Sequence, residues 1–157
     1  GCGTGRDSLP LLRAGWRVLA VDQEQEALDE LARRAEAEGL GGLERERARF
    51  EAMRPPVCHL INASFALFAC EPRHFPDVWA SIRASLRPGG RFAGQLLGPN
   101  DSWSGRPGLT VLDHPSLLRL LDGLTIERLE EEETDAVTPQ GEAKHWHLWH
   151  LNLLKPS

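Results

Sequence analysis

Tyrosine is missing from this 157-residue sequence, methionine occurs once, and lysine is confined to Lys144 and Lys155. With a formal charge of −5 there is no basic stripe, which excludes the electrostatic footprint of a nucleic-acid partner or an acidic membrane surface. Cysteine is scarce too: Cys2, Cys58 and Cys70 are odd in number and lack the CxxC spacing of a zinc ribbon or redox pair. A disulfide framework is thereby excluded, and a reducing, cytoplasmic setting is expected. No apolar run of about 18 residues occurs, so no membrane-spanning helix is expected. Repeats and low-complexity segments are also missing.

What is present suits one globular domain, 1–157, since 41% of the residues are hydrophobic. The chain opens on Gly1-Cys2-Gly3-Thr4-Gly5-Arg6-Asp7-Ser8, and Val18-Leu19-Ala20-Val21-Asp22 follows. Closely spaced glycines let a backbone turn sharply and approach a ligand, and an acid at the end of the next strand can take a ribose diol. Such a loop normally hangs from a buried strand, and no strand precedes it here. The expected domain therefore lacks its first strand, which would lie at the sheet centre between 17–21 and 57–62, and the sequence is expected to be truncated at its N-terminus.

Beyond the loop, Leu9, Leu11 and Leu12 predict a short helix capped by Asp7 or Ser8 and stopped by Gly15. Residues 17–21 read as a buried strand, and 24–38 as a surface helix with Ala27, Leu28, Leu31 and Ala35 on its apolar face. A weak strand is expected near 46–50, then a central strand at 57–62. Pro72 is placed in the first turn of a helix carrying Phe75, Val78, Trp79, Ile82 and Leu86. Arg87-Pro88-Gly89-Gly90 reads as a tight turn feeding a strand at 91–98, followed by a polar loop to Gly108 and a short helix at 116–121. Two final strands, 124–133 and 143–154, are separated by a turn containing Pro139 and Gly141, and the Glu130–Glu133 run reads as a solvated strand end or loop. This order predicts an α/β, Rossmann-like, mostly parallel sheet with a C-terminal antiparallel hairpin.

The glycine spacing bears on the cofactor. A dinucleotide fingerprint wants its third glycine at the sixth position, where Arg6 stands. The motif GCGTGR, followed in order by VLAVD, the strand end Asn62-Ala63-Ser64 and LRPGGRF, resembles the class I S-adenosylmethionine-dependent methyltransferases. NASFAL at 62–67, GRFAGQLLGPNDSW at 90–103 and GEAKHWHLWHLNLLKP at 141–156 resemble the tellurite-resistance branch of the small-molecule enzymes in that family. The resemblance covers nearly the whole chain, and it departs from the family pattern at Arg49 and at Cys58-His59. It implies S-adenosylmethionine as cofactor, with Gly1, Gly3 and Gly5 beside its amino acid end, Asp22 on the ribose hydroxyls, and Asn62 and Ala63 at the next strand end. Glu51, two residues beyond Arg49, is expected to supply the acid near the adenine.

Methyl transfer asks little covalent chemistry of a protein; alignment and exclusion of water dominate. Arg6, Asp101, Trp103, His145 and His147 are the candidates for lining the acceptor pocket, and a small molecule or oxyanion is the expected acceptor. His145 and His147 share one face of a strand while His150 points to the other, so the three cannot converge on a metal and no metal is expected. Trp146 and Trp149 are expected to pack the hairpin. A cofactor-binding module without turnover and a nicotinamide-dependent oxidoreductase are the alternative readings.

Overall fold

The computed structural model describes residues 1–137 and 141–157, and Pro139 of the expected final turn lies outside them. The chain divides into two compact units, Gly1–Met53 and Arg54–Ser157.

In the first unit the Gly loop leads into α1 (Ser8–Arg13), β1 (Val18–Asp22), α2 (Gln25–Ala37) and β2 (Leu43–Arg47), with β1 and β2 parallel. The apolar face of α2 is what the sequence spacing demands: Leu28, Leu31 and Ala35 are buried with Leu9, Leu12 and Ala20 in one core. Asp7 occupies the N-cap position of α1 without capping it, because Oδ1 accepts from Arg6 Nε at 3.1 Å. The weak strand expected at 46–50 begins earlier, at Leu43. Pairing decides its place: Val18 N–H donates to Gly42 O at 2.9 Å and the register runs Val18↔Leu43 to Asp22↔Arg47.

The second unit holds β3 (Cys58–Ala63), α3 (Phe75–Ser85), β4 (Leu86–Leu97), α4 (His114–Leu121), β5 (Thr125–Val137) and β6 (Ala143–Leu154). Its sheet has the order β3-β4-β6-β5, parallel between β3 and β4 and antiparallel elsewhere, so the terminal hairpin is as the sequence predicts. Three local expectations are corrected. Pro76, rather than Pro72, sits in the first turn of α3, which begins at Phe75. Arg87-Pro88-Gly89-Gly90 is an irregularity inside β4 rather than a turn before it: the register jumps between Cys58↔Leu86 and Leu60↔Arg91, and a Cβ at Gly90 would lie 2.8 Å from Arg87 O. The Glu130–Glu133 run forms the middle of β5, each residue opposite a partner on β6.

Packing follows from the aromatic residues of α3. Trp79 meets Phe92 of β4 edge to face at 5.1 Å, stacks with Phe75 at 6.3 Å, and donates its indole N–H to Leu120 O at 3.0 Å. Trp149 is buried as expected and donates to Leu112 O at 2.9 Å, which joins β6 to the segment before α4.

Candidate active site

In the first unit the loop is fastened to the end of β1. Cys2 N–H donates to Val21 O at 3.0 Å, and Gly3 N–H donates to Asp22 Oδ2 at 2.8 Å. The other oxygen, Oδ1, accepts Glu24 N–H at 3.0 Å from the start of α2. Burial alone would raise the Asp22 pKa, but the hydrogen bonds from Glu24 and Gly3 outweigh it and hold the carboxyl below the usual range. Gly3 has φ +52° with nothing within 4 Å of a Cβ built on it, so the loop opens there onto free space. Gly5 is the opposite case: at φ +91° a Cβ would run into Leu31 Cδ1 of α2. Gly1 and Arg6 are exposed, and Arg6 is engaged with Asp7. Glu51, in a turn after β2, lies 3.0 Å from Arg49 Nε. A cavity of about 340 Å³ is lined by Gln23, Glu24, Arg47, Ala48 and Arg49, at the carboxyl ends of β1 and β2.

In the second unit Asn62 and Ala63 close β3. The loop after β4 is fastened to β6 by Asp101, which is 2% exposed. Asp101 Oδ1 takes the Lys144 ammonium and, at 2.8 Å, Trp103 N–H, while Oδ2 accepts His147 N–H at 3.0 Å. Lys144 also donates to His145 O at 2.8 Å and lies 4.6 and 4.1 Å from the ring centroids of Trp103 and Trp146. His147 is equally buried. Its Nδ1 accepts Asn100 N–H at 3.1 Å, which assigns the ring proton to Nε2, and its imidazole lies where a Cβ at Gly98 would be. Nε2 is 3.0 Å from Glu131 Oε1 but out of hydrogen-bond alignment.

These contacts correct the expectation that Asp101 and His147 line an open pocket: both are turned inward and hold the 98–106 loop on β6. Trp103 is half-buried beside them, and His145 is half-exposed between two carboxylates. Hydrogen bonds to Asp135 at 2.8 Å and Glu133 at 3.2 Å raise the His145 pKa above its ordinary value. Lys144 is a site residue that sequence reasoning did not single out, although it stands in the segment 141–156, directly before His145 and Trp146, and is one of only two lysines. Gln95 and Phe65 stand inside the segments 90–103 and 62–67 and His150 was weighed only as a metal ligand, so none was assigned to the site. Glu131, Glu133 and His147 approach one another within 4.8 Å. Of the two imidazole nitrogens, Nδ1 already accepts Asn100 N–H, and Nε2 is the one turned to Glu131.

A glycine loop, a strand ending in a buried acid, a helix and a parallel partner strand, followed by a second parallel pair, define an α/β cofactor-binding fold. The chain belongs to the methyltransferase family: the family model described as "Methyltransferase domain" matches residues 1–90. The fold is that of the class I S-adenosylmethionine-dependent methyltransferases. TehB from Haemophilus influenzae superposes with a TM-score of 0.83 at 16% identity, over 100% of this chain and 56% of that one, so the chain spans a little over half the length of that relative. A SAM-dependent methyltransferase from Methanosarcina mazei gives 0.73 at 18% identity, over 99% of this chain and 90% of that one. The 1,6-didemethyltoxoflavin-N1-methyltransferase of Burkholderia thailandensis, solved with bound 1,6-didemethyltoxoflavin and S-adenosylhomocysteine, gives 0.72 at 21%, over 100% of this chain and 69% of that one. No curated protein matches the chain.

Proposed function

We propose that this chain binds S-adenosylmethionine and directs methyl transfer to a small-molecule acceptor. The observation that carries the reading is the Asp22 carboxylate, buried at the end of β1 and already oriented by Gly3 and Glu24 N–H groups. Each of its oxygens accepts one of these N–H groups and keeps lone-pair capacity for a ribose hydroxyl. The open space at Gly3 suits the close approach of a ligand to the loop formed with Gly1 and Gly5. Bound S-adenosylmethionine would supply an electrophilic methyl carbon for the acceptor's lone pair. Within the first unit, Asp22 with the glycine loop would hold the ribose and Glu51 would meet the adenine. Within the second unit, Trp103 and His145 are the side chains assigned to the acceptor, while Asp101 and His147 position the loop that carries Trp103. The acidic surface favours a small molecule over a nucleic acid as acceptor.

Calorimetric titration of S-adenosylhomocysteine tests the reading. One molecule is expected to bind, and Asp22→Asn is expected to weaken it by about tenfold or more, the value of one charge-assisted hydrogen bond. NAD is expected to give no heat. Unchanged affinity in Asp22→Asn, or no binding by the natural chain, overturns it.

A further inference from the structure

Phe65 stands two residues beyond β3 with φ +52°, a conformation that a bulky side chain rarely adopts. A chain of hydrogen bonds across the whole sheet imposes it. Phe65 N–H donates to Gln95 Oε1 of β4 at 2.9 Å, Gln95 Nε2 lies 3.4 Å from His150 Nδ1 of β6, and His150 Nε2 lies 2.6 Å from Glu132 Oε2 of β5. The amide oxygen faces Phe65, so the amide nitrogen donates to Nδ1 and the imidazole proton goes to Glu132. All this order is spent on an aromatic ring that is 41% exposed. Glycine would hold the same backbone without strain, so what the sequence keeps here is the phenyl ring itself.

The ring has aromatic company. Phe65 meets Trp146 edge to face at 5.9 Å and 79°, and Trp146 meets Trp103 at 5.3 Å and 62°. The Lys144 ammonium contacts both indoles, neutralised by Asp101, and the exposed guanidinium of Arg106 lies 4.6 Å from the Trp103 centroid. Carboxyl ends of parallel strands are where open α/β sheets bind ligands, and Phe65 sits at that end of β3.

We propose that Phe65, Trp146 and Trp103 form a shelf for the methyl acceptor, and that it takes a planar aromatic anion, a carboxylate or phenolate, rather than an inorganic oxyanion. The inference rests on the methyltransferase reading of the same site. Aromatic surface selects a flat guest. Arg106, beside the shelf, selects negative charge over positive. Gln95, His150 and Glu132 are positioning residues that act through Phe65.

The test is saturation-transfer NMR on the full chain with saturating S-adenosylhomocysteine, using naphthoate, cyclohexanecarboxylate, naphthylmethylamine and selenite as probes. Naphthoate is expected to bind about tenfold or more tightly than the other organic probes, and selenite is expected not to displace it. Phe65→Gly removes the backbone strain, so its melting temperature is expected to hold or rise; its naphthoate affinity is expected to fall about tenfold with S-adenosylhomocysteine affinity unchanged. Arg106→Gln is expected to weaken naphthoate but not neutral naphthalenemethanol. Naphthoate binding that Phe65→Gly leaves intact, equal binding of the amine, or absent naphthoate binding beside intact S-adenosylhomocysteine binding overturns the shelf. Loss of S-adenosylhomocysteine binding itself would instead overturn the methyltransferase reading on which it rests.

Discussion

Asp22 earns its depressed pKa from backbone N–H groups, and this links the candidate cofactor site to acid stability. A carboxyl whose folded pKa lies below its ordinary value of 3.8 stabilises the fold above that pH and loses the contribution as pH falls through the folded value. Asp22→Asn is therefore expected to flatten the fall in urea midpoint below about pH 4.5 while leaving the slope near neutrality unchanged. Gly98 exerts its effect through contact instead. A Cβ there would overlap the His147 ring, so Gly98→Ala is expected to cost about 1–3 kcal/mol in denaturant unfolding, and less in a His147→Ala background where the ring is gone. The two residues differ in how legible they were. Asp22 ends a five-residue strand one short helix after the glycine loop, an order readable along the chain, whereas the meaning of Gly98 depends on a histidine far along the chain.

Among the elements, the loop at 98–106 and strand β6 stand or fall together. Asp101 and Lys144 have no exposed side-chain surface, and removing one leaves the other charged and unpaired in the interior. Asp101→Ala is expected to lose about 3–5 kcal/mol, and Asp101→Leu with Lys144→Met to recover only the part due to the stranded ammonium, because the Trp103 and His147 N–H groups still lack their acceptor; chemical denaturation of the three proteins decides. Helix α2 was readable because its core residues recur with the period of a helix and charges fill the rest. Strand β2, with the pattern Leu-Glu-Arg-Glu-Arg, has no such signal and is fixed by its ladder with β1. The glycines at 89–90 were read as punctuation between elements, yet β4 continues through them: Lys155 N–H donates to Gly90 O and Gly89 N–H to Lys155 O, both at 2.8 Å. A local rule for Pro-Gly-Gly cannot anticipate a partner from the end of the chain.

At the scale of the molecule, charge is distributed with a purpose that the net value of −5 conceals. The sheet of the second unit ends at β5, thirteen residues long and mostly exposed. A strand of that length at a sheet edge offers unpaired backbone groups to any passing chain. Its glutamates are what stands in the way. Bonds with Arg128 and with Asn100 and His145 keep Glu130 and Glu133 ionised below their ordinary value of 4.5. Self-association, followed by light scattering, is accordingly expected to set in only as pH falls below about 4.5. Glu130→Val with Glu131→Val is expected to raise that onset, and the same loss of charge on α2, at Glu26 and Glu36, to leave it where it is. The acidic run, whatever the chemistry of the rest of the chain, is thus expected to set the acidity at which the edge of β5 opens to a further chain.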